Sequence, residues 1–394
     1  MGERYVVRCD RIAHGGHVVG RHEGVVVFIR HALPGELVEA EVTEGAEGDR
    51  FLRADAVTVL EASDARVEPP CPYAGPGRCG GCDFQHVALP TQRALKAAVV
   101  REQLSRLAGL DVPVEVAPVP GDTAGLGWRT RVQFSIAVDG RAGLRKHRSH
   151  DVLPIDHCPI AHTSLPEVTT AAWPEANTVE AIVSAAGERL RIVTSGSTTS
   201  YDGPQVLHER SAGRSFQVTG SGFWQVHPGA ADALTTAVLA ALEPRPGESV
   251  ADLYAGVGLF SAALAEGVGA HGSVRAVESD ATAVEDAISN LRDLPQVRVL
   301  RDRVDRALRR GALGAGLDLV VLDPPRVGAR KAVVAAVAAL GPRAVAYVAC
   351  DPAALSRDVA TFGTLGYRLS SVRGFDIFPM THHVECVALL EPAG

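Results

Sequence analysis

Two residues in the last part of this chain have the types and settings that covalent chemistry requires. Cys350 closes the apolar run Ala344–Ala349 and is followed by Asp351 and Pro352, while Glu385 opens a second apolar run over residues 386–390. A thiol at the start of a helix ionises more readily than a free one, and the stretch beginning near Ala353 reads as such a helix. An activated thiol and a carboxylate together suit one reaction class well. Carbon 5 of uracil is a poor nucleophile, but a thiolate added to carbon 6 turns the ring into an enolate that can attack a methyl donor. A base must then remove the carbon 5 proton so that the thiol can leave. Glu385 can be that base, and so can His382 or His383 just before it. Against this reading stands the ordinary one, in which a lone Cys is an inert core residue.

A second group of residues suits a nucleoside cofactor. Residues 249–260 form an apolar strand that runs into a turn with Gly256 and Gly258 and then a helix, a layout that lets backbone approach a ligand. About 20 residues on, the next apolar strand ends in Glu278, where an acid can accept hydrogen bonds from ribose hydroxyls. A third apolar strand ends in Asp323-Pro324-Pro325-Arg326. In a doubly wound sheet the carboxyl ends of the strands face the ligand crevice. Asp-Pro-Pro there resembles the fourth motif of methyltransferases acting on nucleic acid. Arg326 stands where adenine-methylating enzymes carry a stacking aromatic, which argues against amino-group methylation.

The third group is sulfur-rich. Cys71, Cys79 and Cys82 give C-x7-C-x2-C, with Cys158 a distant fourth. Four thiols with a tight C-x2-C pair suit tetrahedral zinc and an iron–sulfur cluster equally. Cys9 and Cys386 read as structural.

The elements that must position these groups follow from periodicity. Residues 4–60 alternate in short strands broken by Gly and Pro, the cadence of a small barrel such as an oligonucleotide-binding fold. Residues 91–108 have helical spacing, and 113–220 read as mostly β. From about Gly222, helices alternate with apolar strands, which predicts a parallel sheet with crossover helices. Three domains are therefore expected: a barrel over 1–60, a central domain over 61–220 with the Cys group, and an α/β domain over 221–394. Helix 91–108 can pack on the last of these. The formal net charge of −7 does not advertise a nucleic-acid binder. A local basic stretch nonetheless holds Arg129, Arg131, Arg141, Arg145, Lys146 and Arg148 against one acid, Asp139. No secretory signal and no run of about 18 apolar residues is present, so a cytoplasmic protein with no membrane partner is expected. A monomer is expected too.

Three motifs in order bring a family into view. Asp323-Pro324-Pro325-Arg326 comes first, then Ala349-Cys350-Asp351-Pro352-Ala353 with Leu355, Arg357 and Asp358. Phe378-Pro379 with Thr381, His383 and Glu385 completes the series. Together they resemble the bacterial RNA (uracil-5-)-methyltransferases, and the likeness extends upstream to the stretches 222–227, 143–152 and 158–160. The resemblance implies a Rossmann-like class I methyltransferase domain that uses S-adenosylmethionine. It implies Cys350 as nucleophile, Glu385 as base and Asp323 lining the site, with Gln225, Tyr254, Glu278 and Asp302 at the cofactor. It also implies a TRAM-type RNA-binding barrel over 1–60 and a [4Fe–4S] cluster, ahead of zinc, on Cys71, Cys79, Cys82 and Cys158. Structured RNA is the implied partner, and the barrel points to 23S ribosomal RNA ahead of transfer RNA. The family most often carries Ser-Cys-Asn-Pro where this chain has Ala349-Cys350-Asp351-Pro352. The extra carboxylate at Asp351 is expected to raise the pKa of the neighbouring thiol. The rival readings are a non-catalytic iron–sulfur RNA-binding protein and an RNA cytosine-5 methyltransferase. The second normally brings a Pro-Cys pair, absent around Cys350.

Overall fold

A computed structural model describes residues 2–46, 48–122 and 124–394. The first five strands close into a barrel: β1 (Arg4–Ala13), β2 (His17–His22), β3 (Val25–Arg30), β4 (Leu37–Glu44) and β5 (Phe51–Glu61), in the order β1-β2-β3-β5-β4. Alternation drives this. In β4 every second residue is buried, so Val38, Ala40 and Val42 turn inward while the acids between them face out. The barrel core of Val18, Val27, Ile29 and Val38 continues into Leu95 and Val99 of helix α1 (Leu89–Gln103), which ties the barrel to the rest of the chain. The expected helix over 91–108 is thus α1 plus a wider π-type turn, Leu104–Ala108.

After β6 (Val116–Pro118) the chain enters the central sheet. It holds β7 (Arg131–Ile136), β8 (Ala142–Arg145), β9 (Val152–Pro154), β10 (Thr178–Val183), β11 (Arg189–Ser195) and β12 (Thr198–Asp202), ordered β12-β11-β10-β7-β8-β9. A separate hairpin, β13 (Val206–Ser211) with β14 (Arg214–Thr219), packs Phe216 and Val218 against Trp224 and Ala231.

The last domain is an α/β sandwich. Its elements are α2 (Ala230–Leu242), β15 (Ser249–Leu253), α3 (Leu259–Val268), β16 (Ser273–Glu278), α4 (Ala281–Asn290), β17 (Val297–Arg301), α5 (Val304–Arg309), β18 (Leu319–Leu322), α6 (Arg330–Ala339), β19 (Ala344–Ala349), α7 (Pro352–Thr364), β20 (Tyr367–Asp376) and β21 (Glu385–Pro392). Strands buried on both faces must be apolar throughout, and β18 and β19 are fully buried. Val320 and Leu322 pack with α6 and α7 on one face, while Leu319 and Val321 pack with α2 and α3 on the other. Each such side chain contributes roughly 1.5–3 kcal/mol of burial. The sheet order is β17-β16-β15-β18-β19-β21-β20-β6. Here the expectation of a parallel sheet is corrected. β15 to β19 pair in parallel, but β21 runs antiparallel to both β19 and β20. β6, far upstream in sequence, adds to the edge beside β20.

Candidate active site and cofactor pocket

The reversal at β21 builds the site. Ala349 pairs with Cys386, so Cys350, the first residue past β19, stands opposite Glu385, the first residue of β21, which still pairs with Phe375 of β20. The carboxyl ends of β15, β16 and β18 lie on the same side and carry Tyr254, Glu278 and Asp323. The loop that delivers Glu385 is held by α1. Gln92 accepts a hydrogen bond from the Met380 amide at 2.8 Å and donates to the Phe84 and Val87 carbonyls at 3.1 and 2.9 Å. The buried Lys96 ammonium reaches Asp376 at 2.5 Å and donates to the Phe378 carbonyl at 3.0 Å. Arg93 reaches the other Asp376 oxygen at 3.2 Å. A buried pair of this kind costs desolvation on both sides, so its worth lies in fixing position. None of Gln92, Lys96 or Asp376 stands out in the sequence, because a polar residue inside a helical pattern, or an acid at a strand end, normally faces solvent.

A cavity opens at Cys350, lined by His14, Phe84, Lys96, Arg326, His382 and His383 among others. Asp351 turns away from the thiol. One of its oxygens caps α7 by accepting from the Ala354 amide at 2.7 Å, and the other lies 3.1 Å from His14 Nε2. The thiol itself is not activated in the resting structure. Burial, and then the charge of Glu385, push its pKa up to about 11, Arg326 pulls it down and Asp323 adds to the rise. The carboxyls of Glu385 and Asp323 both oppose its ionisation.

The strand ends are crowded with acids. Burial and then Asp323 push the Glu385 carboxyl well above the ordinary range, against a smaller opposing pull from Arg326. Burial and then Asp252 raise Asp323 to about 7. Burial raises Asp252 to about 6 despite a 2.6 Å hydrogen bond from Ser261. Asp252 was missed in sequence because an acid inside an apolar strand has no local signature. Carboxyls gathered in this way favour a cationic ligand. The alternative bases stand as follows. His382 is 2.6 Å from Asp83, and His383 lines the cavity as a neutral ring, lowered to about 3 mainly by burial and then by His382.

A separate cleft of about 470 Å³ lies between the β15, β16 and β18 ends and α6, lined by Tyr254, Glu278, Ser279, Arg303, Val327 and Arg330 among others. Glu278 is pinned by backbone amides of Gly256 at 3.0 Å, Ser279 at 2.5 Å and Asp280 at 2.8 Å. Tyr254 has φ +68, which turns the chain sharply at the strand end. Asp302 is adjacent but does not line the cleft, and its carboxylate faces Arg306 and Arg310. Gln225 is 9% exposed and lines neither cavity.

Cys71, Cys79, Cys82 and Cys158 do meet, around one pocket that also holds Tyr73, Gln85, Arg129 and Ile160. Among the described residues, no group of three or more His, Cys, Asp or Glu side chains is arranged to hold a metal ion. The loop beyond is bound to the basic stretch: the Gly80 amide donates to the Arg145 carbonyl at 3.0 Å, and a Cβ at Gly80 would stand 2.7 Å from His147 backbone. That stretch divides. Arg131 is buried and donates to the Gly220 and Gly222 carbonyls, so it is structural, whereas Arg141, Arg145 and Arg148 are exposed. Among the described residues no helix is long and apolar enough to cross a membrane.

Comparison with known proteins bears on the whole chain. Family models match in sequence order: a TRAM domain over residues 1–57, a methyltransferase small domain over 228–349, and tRNA (Uracil-5-)-methyltransferase over 313–393. An uncharacterized RNA methyltransferase of Streptomyces coelicolor is 50% identical across 100% of this chain and 94% of its own length. One from Bifidobacterium longum is 40% identical across 97% of this chain and 95% of its own. The tRNA (uracil-54, C5)-methyltransferase of Pyrococcus abyssi, solved with S-adenosyl-L-homocysteine, shares the fold with a TM-score of 0.72 at 22% identity, over 98% of this chain and 100% of that one. With these matches spanning barrel, cofactor domain and catalytic motifs, the chain belongs to the bacterial TRAM-domain RNA (uracil-5-)-methyltransferases, enzymes that use S-adenosylmethionine.

Proposed function

We propose that the protein methylates carbon 5 of a uridine in structured RNA through a covalent adduct on Cys350, with Glu385 as the base. The observation that carries this is the antiparallel register that sets the buried Glu385 opposite Cys350, with Cys350 lining the cavity. The Cys350 thiol gives its proton to solvent as its sulfur bonds to carbon 6, helped by Arg326, and the electrons of the ring double bond move to the carbonyl oxygen as an enolate. S-adenosylmethionine supplies the methyl group to carbon 5, and the carboxyls at the strand ends suit its sulfonium charge. Glu385 then takes the carbon 5 proton, the ring double bond re-forms and the carbon–sulfur bond breaks. Tyr254 and Glu278 bind the nucleoside part, Glu278 being held ready by three amides; Asp323, Asp302 and Gln225 stay assigned to the cofactor by the family resemblance alone, since none of the three lines this cleft. Cys350→Ala tests the reading. It should abolish turnover and the denaturation-resistant adduct with 5-fluorouridine RNA while leaving S-adenosylhomocysteine binding intact. Substantial residual turnover would remove Cys350 from this role.

A [4Fe–4S] cluster, ahead of zinc, is assigned to Cys71, Cys79, Cys82 and Cys158 on the family resemblance and on the four thiols lining one pocket. Bound there, it would link the 71–82 loop to Cys158 and so steady the basic turn at Arg145 and Arg148. The domains then divide the work: barrel 1–60 and central domain 61–220 grip RNA, and 221–394 does chemistry in the cytoplasm. The amino-terminal barrel favours 23S ribosomal RNA, while the Pyrococcus abyssi neighbour is named for transfer RNA. Mapping 5-methyluridine in both RNAs of a deletion strain separates the two.

A further inference from the structure

The turn between β1 and β2 reaches the catalytic cavity. His14, Gly15 and Gly16 line it together with Cys350, Asp351, Arg326 and His383. Two contacts hold the turn in place. His14 Nε2 lies 3.1 Å from Asp351 Oδ2, on the residue that follows the thiol and caps α7 with its other oxygen. Gly16 has φ +78, and a Cβ added there would stand 2.8 Å from the His382 Cβ, so backbone of the barrel lies directly on the loop leading to Glu385. A base drawn out of an RNA stack loses its neighbours on both faces, and the enzyme must supply surfaces in their place.

We propose that this turn of the barrel is a wall of the pocket that receives the target pyrimidine, and that His14 is a positioning residue that locks it there through Asp351. The inference rests on Cys350 being the nucleophile. The barrel then completes the site as well as gripping RNA, and the base that reaches the thiol must fit beside it. The cofactor cleft draws its lining from β15, β16, α5 and α6 and takes nothing from the barrel.

Full-length His14→Ala should lower kcat/KM for RNA about tenfold, the effect of one directed hydrogen bond at a site. Affinity for S-adenosylhomocysteine and Tm should stay at wild-type values. Asp351→Ser keeps a cap for α7 but is too short to reach His14, so it should show the same loss. The double variant should be no worse than either single, because both remove one contact. His14→Gln, which can still donate to Asp351, should recover most of the rate. Wild-type RNA kinetics in His14→Ala, or losses that multiply in the double variant, would overturn the role of the turn while leaving Cys350 untouched. Turnover by Cys350→Ala would instead remove the reading beneath it.

Discussion

Glu385→Gln separates base from nucleophile. Glu385 is 5% exposed, and Gln keeps its volume while removing its charge, so packing should change little. Two effects of opposite sign follow. Cys350 loses the neighbouring anion that does most, after burial, to hold its thiol up at about 11, so attack on carbon 6 becomes no harder. Release loses its proton acceptor. A positioned general base contributes about 10²- to 10⁴-fold, or roughly 3–5 kcal/mol of barrier. Turnover should fall by that factor while attack and methyl transfer persist. The assay is incubation with unmodified RNA and methyl-labelled S-adenosylmethionine, followed by denaturing electrophoresis. A labelled RNA–protein band should build up far above the wild-type level. Normal turnover by Glu385→Gln would refute the argument and shift attention to His383, which lines the same cavity as a neutral ring.

Other expectations arise from the same geometry. With the Cys350 pKa raised to about 11, the reactive thiolate fraction rises with pH. Its alkylation should therefore quicken about tenfold per pH unit from neutrality upward, and a plateau near pH 8 would contradict the assigned burial. Protein purified without oxygen should be brown, with iron and sulfide near about four each per chain. Cys158→Ser should bleach it, whereas colourless wild-type protein carrying zinc would exclude the cluster. Asp358 on α7 accepts from Tyr347 Oη at 2.6 Å, the Ala329 amide at 2.8 Å and the Arg330 amide at 3.2 Å, holding the wall of the cofactor cleft. Asp358→Ala strands the Tyr347 hydroxyl and the Arg330 amide, each worth about 1–3 kcal/mol when left unpaired and buried, while the Ala329 amide keeps Tyr347 Oη at 3.0 Å. The change should weaken S-adenosylhomocysteine binding measured by calorimetry. Unchanged affinity would show that the wall stands without it.

The sequence by itself determined the features that depend on neighbours along the chain. Alternation in residues 37–42 was enough for a barrel strand, and the fully apolar 344–349 for a strand covered on both faces. The strand-turn-helix around Gly256 and the acid at Glu278 were legible because cofactor loops are local in sequence. Spacing also marked Cys71, Cys79, Cys82 and Cys158 as a set. The direction of β21 was beyond its reach. The run after Glu385 reads the same in either orientation, since a strand buried on both faces has no polar side to show which way it lies. Only antiparallel pairing with β19 turns the first residue of that strand, instead of its last, toward the thiol. The tertiary structure likewise decided the state of Cys350. A helix start was visible in sequence, but the burial of the thiol and the approach of Glu385 and Asp323, 35 and 27 positions away in the chain, were not. His14 meets Asp351 across more than three hundred residues. Such contacts arise from packing whole domains, and no periodicity along one segment encodes them.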